Sequence, residues 1–133
     1  MRYLVDTDRA VWWLRGTPAF VAQLRALRRH GLAVSAITLA ELVTGIHRSA
    51  NPSQSERVLV RFLRIVSGLA FTDEIAHRFG RENAQLFSVG QAISQFDLAI
   101  AATALHYDLV LLTDNRRHYE RIPGLKLQSI KTL

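Results

Sequence analysis

Two short apolar runs, Tyr3-Leu4-Val5 and Leu109-Val110-Leu111-Leu112-Thr113, constrain this chain most, because each stops abruptly at an acidic residue. Runs of this length without polar alternation read as strands buried on both faces, the kind found in parallel sheets covered by helices. The segments between them carry apolar residues at helical spacing instead. Strands alternating with helices predict an α/β protein, a single three-layer α/β/α domain with a mainly parallel sheet of about five strands.

Local signals divide the chain accordingly. Residues 2–6 read as a first strand, and Thr7-Asp8 offers a cap to a short helix bearing Val11, Trp12 and Leu14 that ends at Gly16. Thr17-Pro18 starts a second helix with an apolar stripe of Phe20, Val21, Leu24 and Leu27, and the chain turns at Gly31. A second strand is predicted over 32–37. Thr38 then begins a helix with Leu39, Leu42, Val43 and Ile46 on one face, and Asn51-Pro52-Ser53 interrupts it. A further helix over 54–67 buries Val58, Phe62, Leu63, Ile65 and Val66. The small apolar run Leu69-Ala70-Phe71 precedes a helix capped by Thr72, with Ile75, Phe79 and Leu86 on its buried face, and Ser94 opens an apolar helix through Leu105. The fourth strand is 109–113. Basic turns follow at 115–121, and Leu125 to Ile130 supply a last edge strand.

At 133 residues the chain suits one domain spanning 1–133, able to bury roughly two thirds of its unfolded surface. The amino end reaches a charge before a signal-type apolar region forms, and no apolar stretch approaches the ~20 residues of a membrane span. A cytoplasmic protein is expected. With no cysteine there are no disulfides and no thiolate metal sites, so any metal is held by oxygen or imidazole.

The chemistry concentrates in Asp6, Glu41, Asp97 and the Asp114-Asn115 pair. Asp6, Asp114 and Asn115 follow strands, whereas Glu41 and Asp97 open helices. In a parallel sheet the carboxyl ends of strands and the amino ends of the following helices share one edge, where open α/β sheets bind ligands. Clustered carboxylates repel one another unless a cation sits among them, and the arrangement points to a divalent metal site.

Each acid also has a plainer explanation. Glu41 stands three residues after Thr38 and Asp97 three after Ser94, the spacing of a capping box, and Asp6 alone suits a turn. Capping does not require four acids from four elements to share one rim, and the joint occurrence favours metal. A rival reading comes from Asp6-Thr7-Asp8, which resembles the nucleophile motif of haloacid dehalogenase-like phosphatases. Against it stand Ala10 at a position that family fills with Thr or Val, the want of a suitably placed lysine, and the short chain.

The formal net charge of +6 suits a polyanionic partner such as nucleic acid. Arg57, Arg61 and Arg64 share a helical face and Arg25, Arg28 and Arg29 form a second cluster, patterns equally met on solvated helices. Arg9, Arg116 and Arg117 flank the acids and are the candidates for phosphate contact. The histidines fall in no ligand spacing, and no Gly-rich phosphate loop is present.

Four segments together resemble the PIN domain, and more narrowly the VapC-type toxins of type II toxin–antitoxin systems: Leu4-Val5-Asp6-Thr7, Thr38 to Gly45, Phe96 to Ala104, and Leu111-Leu112-Thr113-Asp114-Asn115 running on to Leu125. The resemblance spans nearly the whole chain, in order. It implies a PIN-like fold and a Mg²⁺- or Mn²⁺-dependent endoribonuclease in which Asp6 and Asp97 hold the metal, Glu41 ligates or assists deprotonation, and Thr7 or Thr113 orients a carboxylate. The family's fourth position maps onto Asn115, while the acid here is Asp114, and both remain candidates. Implied partners are an RNA substrate, a cognate VapB-type antitoxin and a second copy of the chain in a homodimer. The alternative is a housekeeping or non-catalytic PIN-like RNA-binding protein.

Overall fold

A computed structural model describes residues 1–129. The chain runs β1 (Tyr3–Val5), α1 (Thr7–Leu14), α2 (Pro18–Leu27), a 3₁₀ turn (Arg28–His30), β2 (Leu32–Ser35), α3 (Ala36–His47), α4 (Pro52–Leu63), β3 (Ser67–Leu69), α5 (Asp73–Ser88), α6 (Gln95–Tyr107), β4 (Val110–Leu112), α7 (Arg116–Tyr119) and β5 (Lys126–Gln128). The five strands form one sheet in the order β3-β2-β1-β4-β5, and every pairing is parallel.

Strand alternation divides the core into two layers. Tyr3, Val5, Leu32, Val34 and Leu112 pack with Leu24, Leu42, Leu59 and Phe62 from α2, α3 and α4. Leu4, Ala33 and Leu111 face Leu86, Leu98, Ile100, Ala101 and Tyr119 from α5, α6 and α7. Successive strand residues point to opposite faces, so three-residue strands serve both layers only if nearly every position is apolar. Burying one such Leu or Val stabilises the fold by about 1.5–3 kcal/mol. The same demand makes α6 apolar on all sides: Leu98 through Ala104 are buried, and the one hydroxyl among them, Thr103, donates to the Ala99 carbonyl at 2.9 Å.

Element boundaries shift where local caps override the apolar pattern. The third helix starts at Ala36 rather than Thr38, because the Ser35 side chain accepts from the Thr38 amide at 3.0 Å and takes the cap position. Likewise Asn51 caps α4 through the Gln54 amide, placing Pro52 in the first turn, and α4 ends at Leu63 rather than 67. The third strand lies at Ser67–Leu69 and takes in only the first residue of the apolar run Leu69-Ala70-Phe71. Residues 116–119 form a helical turn, and the described part of the last expected strand is Lys126–Gln128, with Ile130 outside the described residues. Among the described residues no helix is long and apolar enough to cross a membrane.

Chain order reverses between β1 and β4, since β2 and β3 lie on one side of β1 and β4 and β5 on the other. Such a switch point leaves a crevice beyond the carboxyl ends of the two central strands, where α/β sheets bind ligands. Asp6 follows β1 and Thr113 follows β4 at this crevice.

Candidate active site

Asp6 is the best-anchored acid of the rim. It is 3% exposed and caps α1, its Oδ1 accepting from the Thr7 amide at 2.9 Å. Thr113, directly after β4, donates its hydroxyl to Asp6 Oδ2 at 2.6 Å, and the Tyr119 hydroxyl lies 3.1 Å from Asp6 Oδ1. Burial nonetheless pushes the Asp6 carboxyl up to about 6, and the negative charge of Asp8 adds to that rise, while hydrogen bonds from Thr113, Thr7 and Tyr119 oppose it.

Asp97 enters from the first turn of α6. Its Oδ1 lies 3.3 Å from the same Tyr119 hydroxyl, and its Oδ2 lies 3.8 Å from His118 Nδ1, beyond hydrogen-bonding range. Its pKa is raised too, first by burial and further by Asp8, with Tyr119 and His118 acting in the opposite direction. One phenol hydroxyl therefore spans two carboxylates that both resist ionisation. Burial and the two neighbouring carboxylates push the Tyr119 pKa up, so it is a neutral donor throughout the physiological range.

Glu41 is held on the α3 side of the crevice. Thr7 Oγ1 donates to Glu41 Oε1 at 2.8 Å and lies 3.0 Å from Thr38 Oγ1, which in turn sits 3.3 Å from Ser35 Oγ. This hydroxyl chain runs from the cap of α3 to the carboxylate. Since α3 starts at Ala36, Glu41 lies in the second turn and is engaged by Thr7 rather than by a capping box at Thr38.

Asp114 turns the other way. Arg9, 1% exposed, grips it with two bonds, Nε to Oδ2 at 3.2 Å and Nη2 to Oδ1 at 3.0 Å, and lies over the Phe20 ring at 5.0 Å from its centroid. Arg9 thus points inward, against its expected place at the RNA. Asn115 directs its backbone N–H to Thr113 Oγ1 at 3.0 Å. Arg116 is paired with Glu120 at 3.2 Å on the exposed side of α7, and Arg117 is exposed.

Of the acids expected together, the structure links Asp6 to Asp97 through Tyr119 and brings Glu41 alongside through Thr7. Among the described residues, no three acidic or histidine side chains form a ready-made ligand group. The donor set is all oxygen, with two carboxylates short of positive charge. That chemistry fits Mg²⁺ or Mn²⁺ more than a cation needing a full protein cage, because Mg²⁺ is usually held by one or two carboxylates plus water and substrate phosphate. Sequence reasoning assigned no role to Tyr119 or Ser35, and gave Asp8 only a place in the cap of α1 and in the rival phosphatase motif.

The PIN domain family model matches residues 3–125. The chain belongs to the PIN domain family. It is 32% identical over 130 residues to Ribonuclease VapC1 of Haemophilus influenzae, covering 96% of this chain and 97% of that protein. It is 27% identical over 128 residues to the tRNA(fMet)-specific endonuclease VapC of Salmonella typhimurium, covering 96% and 97%. Among solved structures, the VapBC2 complex of Rickettsia felis bound to a DNA fragment from its promoter contains a chain that superposes with a TM-score of 0.91 at 28% identity, covering 97% of this chain and 98% of that one. These likenesses set aside the phosphatase reading of Asp6-Thr7-Asp8.

Proposed function

We propose that this PIN domain is a cation-dependent endoribonuclease, the VapC-type toxin of a pair with a VapB-type antitoxin, acting in the cytoplasm on RNA phosphodiester bonds. The observation that carries the reading is the part-buried Asp6–Tyr119–Asp97 link at the sheet switch point, with Glu41 beside it. Ribonuclease naming among relatives that match nearly end to end supports the substrate class, and VapBC complexes among the structural neighbours support the partner.

Asp6 and Asp97 are the residues that would hold Mg²⁺ or Mn²⁺, with Glu41 ligating at the margin or through water. When bound, such a cation neutralises charge on the scissile phosphate and acidifies an attacking water. The chain's own part is to hold the acids still. Thr113, the Thr7 amide and Tyr119 fix Asp6, while Thr7 holds one oxygen of Glu41 and leaves Oε2 to accept a proton from the water. Hydrolysis by water leaves a 5′-phosphate and a 3′-hydroxyl. Rim acids repel RNA phosphates until a cation is in place, which ties RNA engagement to the loaded site.

The test is cleavage of RNA by the purified protein with Mg²⁺ or Mn²⁺, with excess EDTA, and with the Asp97→Asn variant. Cleavage should vanish in EDTA and fall at least about 100-fold in the variant. Undiminished cleavage in either condition removes the reading.

A further inference from the structure

Tyr119 is wholly buried among Ile100, Leu111 and Ile122, in the layer under α6, and only its hydroxyl reaches the crevice. That oxygen lies on the ring axis, so ring rotation leaves it in place. It stands 3.1 Å from Asp6 Oδ1 and 3.3 Å from Asp97 Oδ1. A phenol has one proton, so it can donate to only one of these oxygens at a time.

The turn after β4 sets this geometry. The Asn115 amide donates to Thr113 Oγ1, which itself donates to Asp6, and the four-residue helix α7 that follows carries Tyr119 back to the same carboxylate. Asp6 is thus fixed from three sides. Tyr119 is the hydrogen-bond partner that Asp97 shares with it, since His118 stays 3.8 Å away.

Building on the cation reading above, we infer that Tyr119 is a positioning residue: its hydroxyl sets the spacing between Asp6 and Asp97 and so prepares the pair to capture a divalent cation. It touches neither substrate nor scissile bond and acts only through the two acids. Groups that orient a metal's ligands in this way typically contribute about 10–100-fold to metal affinity.

The variant Tyr119→Phe removes one oxygen and keeps the ring. Mn²⁺ binding by calorimetry, melting in EDTA and RNA cleavage kinetics are compared for the parent, Tyr119→Phe, Asp97→Asn and the double variant. Tyr119→Phe should weaken Mn²⁺ binding by about 10-fold and lower kcat at subsaturating cation, with KM for RNA unchanged. In the Asp97→Asn background the same change should weaken Mn²⁺ binding by less than about 2-fold, because the shared acceptor is already altered. Unchanged Mn²⁺ affinity in Tyr119→Phe overturns the inference, including the case where only its melting temperature falls, and it leaves the nuclease reading standing. Equal losses in the parent and Asp97→Asn backgrounds also overturn it. If the parent binds no Mn²⁺ and cleaves RNA in EDTA, the cation reading itself fails and this inference falls with it.

Discussion

Thr113 donates to Asp6 across the boundary between two adjacent parallel strands, at 2.6 Å, the shortest side-chain hydrogen bond described in the protein. The bond ties the end of β4 to the end of β1 where the sheet changes direction. Since Thr113 Oγ1 also accepts from the Asn115 amide, one hydroxyl fixes both the acid and the turn that delivers Tyr119.

Thr113→Val keeps the shape and removes that hydroxyl. Asp6 and the Asn115 amide each lose a partner, which should destabilise the protein by about 1–3 kcal/mol. Cleavage should fall by about 10–100-fold. Thr113→Ser should restore most of both. Urea denaturation and initial rates on one RNA substrate check this, and a valine variant as active as the parent would show that Asp6 needs no such anchor.

Asp6 makes stability depend on pH in a direction opposite to the usual surface carboxylate. Its pKa is raised from 3.8 to about 6, so between these values the folded state holds a proton that the unfolded state has released. Stability therefore falls as pH rises through this window, and above it the ionised acid costs about 3 kcal/mol. The cation-free protein should be more stable near pH 5 than at pH 7.5. Asp6→Asn should raise stability at pH 7.5 by about 1–2 kcal/mol, less than the full cost because the amide cannot satisfy every donor around it. That advantage should shrink as pH approaches 4. A variant less stable than the parent at pH 7.5 in EDTA would contradict the assignment.

The Arg9–Asp114 pair predicts a division of labour between stability and metal binding. Arg9 is buried and Asp114 half-exposed, so Asp114→Ala leaves a buried cation without its bidentate partner. The cost should be about 2–3 kcal/mol, below that of a fully buried pair because solvent screens the exposed carboxylate. Mn²⁺ affinity should stay within about 3-fold of the parent, since Asp114 faces Arg9. A large loss of affinity at unchanged stability would return Asp114 to the metal.

Much of this was legible in the sequence, for identifiable reasons. Leu4-Val5-Asp6 and Leu111-Leu112-Thr113 read as strands with polar exits because a sheet covered on both faces tolerates no alternation. Asp97 could be placed on the rim because Ser94 announces the amino end of α6. Arg9 was placed wrongly, at the RNA, since an arginine in a short helix reads as solvated and the partner that holds it inward lies 105 residues away. Tyr119 was silent for a related reason. Its ring counts as apolar in any periodicity, and only the fold reveals that its hydroxyl reaches two acids from distant segments. Glu41 was misleading locally, because the capping box at Thr38 competed with a better cap at Ser35 that only the helix start discloses.

The rim joins two carboxylates with raised pKa values to Glu41, a concentration of acid that a cation can occupy whether it arrives as a metal ion or as a side chain. An antitoxin segment that silences the enzyme should therefore present Arg or Lys to Asp6 and Asp97 while covering the path of RNA. Expression of the chain alone should arrest growth, and Asp6→Ala or Asp97→Asn should relieve the arrest. Co-expression with the antitoxin should relieve it too, and changing the segment's inserted Arg or Lys to Gln should restore nuclease activity to the purified complex. The Asp97→Asn toxin should also bind the antitoxin more weakly, by about 10-fold for the loss of one charge-assisted contact. Inhibition that survives removal of every basic residue from the segment would show that the antitoxin acts by steric cover and leaves the acids untouched.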